Sequence, residues 1–72
     1  MTHQELITEF FKENFSNALL KTGKSAKEIA NLTGLKYQTI KNYLDKKSVP
    51  YFNTLVIIVN ALGLDINEIY DF

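Results

Sequence analysis

At 72 residues with 46% hydrophobic side chains, the chain is long enough for one small folded domain and too short for two. Eight lysines against eight acids leave no net charge, which excludes a uniformly basic nucleic-acid coat. The lack of cysteine excludes a disulfide framework, and the longest apolar run, Leu55 to Val59, is far short of the ~20 residues a membrane helix requires.

Thr2, followed three residues later by Glu5, has the spacing of a capping box. Leu6, Ile7, Phe10, Phe11, Phe15, Ala18 and Leu19 continue a helical stripe from there toward Gly23, predicting a first helix of about twenty residues. Ser25 with Glu28 repeats the capping box and starts a second helix near Ala26, with Ala26, Ile29, Ala30 and Leu32 apolar. Ala30 is small enough for another helix to cross closely. Gly34 comes just after the last turn, where a positive φ ends a helix at little steric cost. Leu35, Ile40, Tyr43 and Leu44 then predict a third, amphipathic helix whose opposite face holds Tyr37, Gln38, Lys41 and Asn42.

Pro50 closes the following loop. A fourth helix is expected from about Asn53 to Leu62, with Asn53 as cap, Gly63 as stop, and Leu55, Val56, Ile58, Val59 and Leu62 inward. Its β-branched run Val56-Ile57-Ile58-Val59 also suits a strand, but the flanking cap and stop favour a helix. Asp65 with Glu68 makes a third capping box and opens a short fifth helix to about Tyr70. The expected fold is therefore all-α: five helices in one compact domain, residues 1–72, with residues 1–18 as an N-terminal helical extension of helix 1.

Ser25 to Asp45 reads as two short helices joined at a glycine turn, the layout of a helix-turn-helix, which places its second helix in the major groove. The outward residues suit base edges. Gln38 and Asn42 can pair bidentately with adenine N6 and N7, Lys41 can donate to guanine O6 and N7, and Tyr37 can reach a thymine methyl or a phosphate. Charge is unevenly spread. Residues 21–47 carry Lys21, Lys24, Lys27, Lys36, Lys41, Lys46 and Lys47 against Glu28 and Asp45, a local balance of +5, while residues 1–20 sum to −2 and residues 48–72 to −3. Lys24, Lys27, Lys36, Lys46 and Lys47 are the candidates for DNA backbone contact, and the acidic ends orient the domain. Without arginine the commonest guanine contact is lost, so an A·T-rich element is expected in the target.

Ile29-Ala30-Asn31-Leu32-Thr33-Gly34-Leu35, then Thr39-Ile40, then Pro50 with Phe52-Asn53-Thr54-Leu55, and finally Ala61-Leu62-Gly63-Leu64-Asp65-Ile66-Asn67-Glu68-Ile69 resemble the Cro/repressor (Xre-like) helix-turn-helix family. The resemblance covers about Leu19 to Ile69 and rests on separated segments that agree in order and distance. It implies a compact five-helix, repressor-like domain and a sequence-specific double-stranded DNA-binding regulator, a repressor, with the third helix reading DNA. It also implies that Tyr37, Gln38, Lys41 and Asn42 are base readers, with Lys36 at the start of their helix. Three departures stand out: Lys36 replaces the usual Ser or Thr cap, Asp45-Lys46 replaces the usual Asn-Gly pair, and the loop to Pro50 is about one residue shorter than in some members. Ala26 stands where the family often has a phosphate-contacting Gln, which leaves only backbone N–H groups at that helix end to face a phosphate.

Thr2 to Glu13 extends the first helix by about three turns beyond what a repressor-like core needs, and its Leu6, Ile7, Phe10 and Phe11 require a partner surface. Either they pack on the fifth helix near Ile69, Tyr70 and Phe72, or Phe10 and Phe11 join Ile69, Tyr70 and Phe72 at a dimer interface. A homodimer on a pseudo-palindromic operator is expected, because two half-sites ~34 Å apart bind better than one. The single histidine, His3, the scattered acids and the dispersed glycines assemble no catalytic, metal or phosphate-loop site, so no enzyme, cofactor, metal or small-molecule ligand is expected. Met1 to Glu5 carries no signal-peptide pattern, so a cytoplasmic protein without a membrane partner is expected, and the family resemblance implies a bacterial or phage-encoded one. The competing function is a protein-binding module, an antitoxin, anti-repressor or docking domain on the same fold.

Overall fold

The computed structural model describes residues 2–71. Among them lie five helices and no strand: α1 His3–Lys21, α2 Ala26–Thr33, α3 Tyr37–Leu44, α4 Phe52–Leu62 and α5 Ile66–Ile69. Local chemistry sets most boundaries. Thr2 Oγ1 accepts the Glu5 N–H at 3.2 Å to start α1, and Gly23 turns the chain with φ +72° after its end. In α2 the capping box is complete: Ser25 Oγ accepts the Glu28 N–H and Glu28 Oε1 accepts the Ser25 N–H, both at 3.1 Å. Gly34 then adopts φ +75° and donates to the Ala30 carbonyl at 2.9 Å, leaving Gly34 to Lys36 as the only link to α3.

Every helix contributes to one core. Phe15, Ala18 and Leu19 of α1, Ile29 and Ala30 of α2, Ile40 and Tyr43 of α3, Leu55 and Ile58 of α4 and Ile69 of α5 are all buried. α1 packs on α3 and α5, while α2 packs on α3 and α4, so α3 is held from two sides. The radius of gyration, 11.6 Å, is close to the ~11 Å of a folded chain this long. At 1.5 Å per residue α1 is about 28 Å long and accounts for most of the 36 Å long axis. Among the described residues no helix is long and apolar enough to cross a membrane.

Four expectations are corrected. Leu32 is exposed, because α2 turns Ala26, Ile29, Ala30 and the half-buried Thr33 inward, at spacings of three and four. Val56 is exposed for the same reason: α4 buries Leu55, Ile58, Val59 and Leu62, and Val56 lies about 100° away from Leu55. The cap of α4 is Tyr51, not Asn53, whose Oδ1 accepts the Thr54 N–H at 3.0 Å. At α5 the third capping box does not form. Asp65 Oδ1 accepts the Asn67 N–H at 2.9 Å, and the Glu68 carboxylate lies 3.6 Å from Lys21 Nζ.

Candidate nucleic-acid interface

The inner side of α3 is rooted in the core. Ile40 is fully buried, and the Tyr43 ring meets Phe15 edge-on at 5.5 Å. Burial also pushes the Tyr43 phenol above its ordinary pKa. The last carbonyls of α3 are taken up as well. Ser16, a buried hydroxyl on α1, donates to the Leu44 carbonyl at 2.8 Å, and the Lys46 and Lys47 N–H groups return to Tyr43 and Asn42 at 3.2 and 2.9 Å. This pair of returning bonds is a Schellman motif with Lys46 in the left-handed region, φ +62°.

Opposite that root, Tyr37, Gln38, Lys41 and Asn42 fall within about 140° of the helix circumference. Tyr37 and Gln38 are exposed, and Lys41 and Asn42 half-buried. Gln38 Nε2 donates to Asn42 Oδ1 at 3.1 Å, joining the two amides across one turn. Lys41 Nζ lies 3.9 Å from Asp45 Oδ1, a pair open to solvent that holds the lysine loosely.

Lysines flank both ends of this helix, which is about 12 Å long. Lys36 occupies its N-cap with no side-chain cap bond, and Lys46 and Lys47 follow its end. Among the described residues Lys27, Lys36, Lys46 and Lys47 are exposed and in no ion pair. Lys24 faces Glu28 across the start of α2, where the Ser25 backbone and hydroxyl, with this lysine, hold the Glu28 carboxyl below its ordinary pKa. A charged glutamate therefore already sits at the positive end of α2, which opposes the phosphate contact expected for its backbone N–H groups. Lys21, counted in the basic window, is drawn to Glu68 instead.

The remaining site residues are dispersed. Phe10 is exposed, Phe11 is half-buried and Tyr70 is about half exposed, with the Phe11 and Tyr70 rings 5.3 Å apart. Phe11 also stacks on Phe15 at 5.7 Å, so the extension is tied to α5 and to the core by a run of rings. Ile69 is fully buried and has no surface to present to a second copy, which removes it from the dimer candidates. Phe72 lies outside the described residues. A shallow apolar groove of about 220 Å³ runs between Ile7, Phe11, Val49, Pro50 and Tyr70.

Sequence reasoning missed Ser16, Asn14 and the pair Tyr51 and Phe52. Asn14 Nδ2 donates to the Ile69 and Asp71 carbonyls at 3.2 and 3.0 Å, closing the end of α5. Tyr51 and Phe52 are 85% and 77% exposed, although Phe52 stands three residues before the buried Leu55. The available signals were polar residues beside the apolar stripe of α1, and two aromatics placed directly after a proline. No protein-family model, curated protein or solved structure matches the chain.

Proposed function

We propose that this chain is a sequence-specific double-stranded DNA-binding regulator of the repressor type, in which α2 and α3 act as a helix-turn-helix and α3 enters the major groove. The observation that carries this reading is the two-sided character of α3. Its inner side is fixed by Ile40, Tyr43 and the Ser16 bond, and its outer arc offers Tyr37, Gln38, Lys41 and Asn42 between Lys36 and the Lys46-Lys47 pair. Rigid rooting matters because base readout loses its discrimination when the reading groups can tilt. The lysines supply the sequence-independent attraction and the amides the choice of base. A homodimer on a pseudo-palindromic operator fits so short a reading head, with Phe10 and Tyr70 as the exposed aromatics of the proposed contact.

Selecting bound duplexes from a random pool tests the reading. It predicts a two-fold symmetric motif with A·T pairs in each half-site and two chains per duplex by sedimentation. An unenriched pool would refute it. The protein-binding alternative is favoured by one observation, the apolar surface of Tyr51, Phe52 and the Ile7–Tyr70 groove on a chain of zero net charge.

A further inference from the structure

We infer that Gln38 and Asn42 act as a single coupled reading unit, with Gln38 serving as the positioning residue that aims the Asn42 amide at an adenine; this rests on the DNA-binding reading above. The Asn42 amide has two N–H donors and a carbonyl oxygen with two lone pairs. Gln38 Nε2 takes up one lone pair at 3.1 Å. What remains is a second lone pair and both N–H groups, the set needed to accept from adenine N6 and donate to adenine N7 in the major groove.

Asn42 is also the better anchored of the two. Its backbone carbonyl accepts the Lys47 N–H at 2.9 Å, and the buried Tyr43 follows it directly in the helix. Gln38 sits one turn earlier and is exposed, and its side chain makes no other hydrogen bond among the described residues. An unbraced asparagine amide turns about its last torsion, so its donor and acceptor present in either order. The bond from Gln38 couples that turn to a second side chain. Ordering one such side chain before binding is worth roughly 2- to 10-fold in affinity.

The test uses a duplex selected by the wild-type chain, with each base pair of a half-site replaced in turn. Binding is measured for wild type, Gln38→Ala, Asn42→Ala, the double variant and Asn42→Asp, each checked for an unchanged melting temperature. The coupled unit predicts that Asn42→Ala erases the preference for one A·T pair, and that Gln38→Ala weakens preference at that same pair by roughly 2- to 10-fold. The double variant then loses less than the product of the single losses. Asn42→Asp keeps an acceptor for Gln38 and loses the donor for N7, so preference at that pair moves from adenine to cytosine, whose N4 group donates.

Single losses that multiply, each at a different base pair, would overturn the coupling while leaving specific DNA binding intact. So would a Gln38→Ala loss equal on every sequence, which is the mark of a bond that only steadies the helix. If the wild-type chain itself selected no sequence, the DNA-binding reading would fall, and the coupling with it.

Discussion

Lys46 holds a backbone conformation, φ +62°, that costs an L-residue with a side chain roughly 1–2 kcal/mol and glycine little. The turn after α3 requires it, since the Lys46 and Lys47 N–H groups close on Tyr43 and Asn42 only when the chain bends this way. A lysine there keeps a positive charge beside α3 at the expense of stability. Lys46→Gly is therefore predicted to raise stability by roughly 0.5–1 kcal/mol in thermal unfolding, after the greater freedom of glycine in the unfolded chain is counted. The same variant should bind every DNA sequence more weakly. The Glu28 carboxyl links stability to pH. Its folded pKa is lowered by the Ser25 backbone and hydroxyl, so the unfolded chain binds the proton more tightly. The resulting stability is complete above the ordinary glutamate range and is lost as pH falls through the lowered folded value. Glu28→Gln keeps an acceptor for the Ser25 N–H but does not titrate, so the advantage of wild type over this variant in denaturant melts should shrink on acidification. An advantage independent of pH would contradict that assignment.

Among the elements, α3 is tied to a distant part of the chain at its C-terminal end. Ser16 and Leu44 are 28 residues apart, and their hydrogen bond fixes the end of α3 to the middle of α1. Ser16→Ala leaves a carbonyl near the core without that donor and is predicted to cost about 1–3 kcal/mol, measured by denaturant unfolding. Its effect on DNA should show as lost discrimination between sequences, because the frame of the reading head loosens while its charges stay. This also shows what could be read from the residues alone. Ser25 with Glu28, Gly34 and Gly63 announce helix ends because caps and positive-φ glycines act within a few residues. Leu32 and Val56 read as inward from periodicity, yet which neighbouring arc is buried depends on where the packing helices lie. The Glu68 carboxylate likewise turns to Lys21, a partner that no local spacing reveals.

For the molecule as a whole, zero net charge and a locally basic window over residues 21–47 are compatible because six of the eight acids lie outside it: Glu5, Glu9 and Glu13 on α1, and Asp65, Glu68 and Asp71 at the C-terminal end, leaving only Glu28 and Asp45 within. The outer face of α3 was legible in sequence because its inner and outer residues alternate at helical spacing. The role of the N-terminal extension was not, since Phe11 could be assigned to Phe15 and Tyr70 only once α1 and α5 were seen together. Among the described residues Lys27, Lys36, Lys46 and Lys47 are exposed and in no ion pair, so DNA binding through them should depend steeply on salt. The most direct measurement is the affinity for a selected duplex and for a random one as a function of salt concentration. With about four phosphate contacts per chain, log affinity should fall against log salt with a slope of roughly −4 for each bound chain, steep for both duplexes, with the selected one tighter throughout. A slope near zero with no difference between the two duplexes would contradict the assignment of α3 and its flanking lysines to DNA.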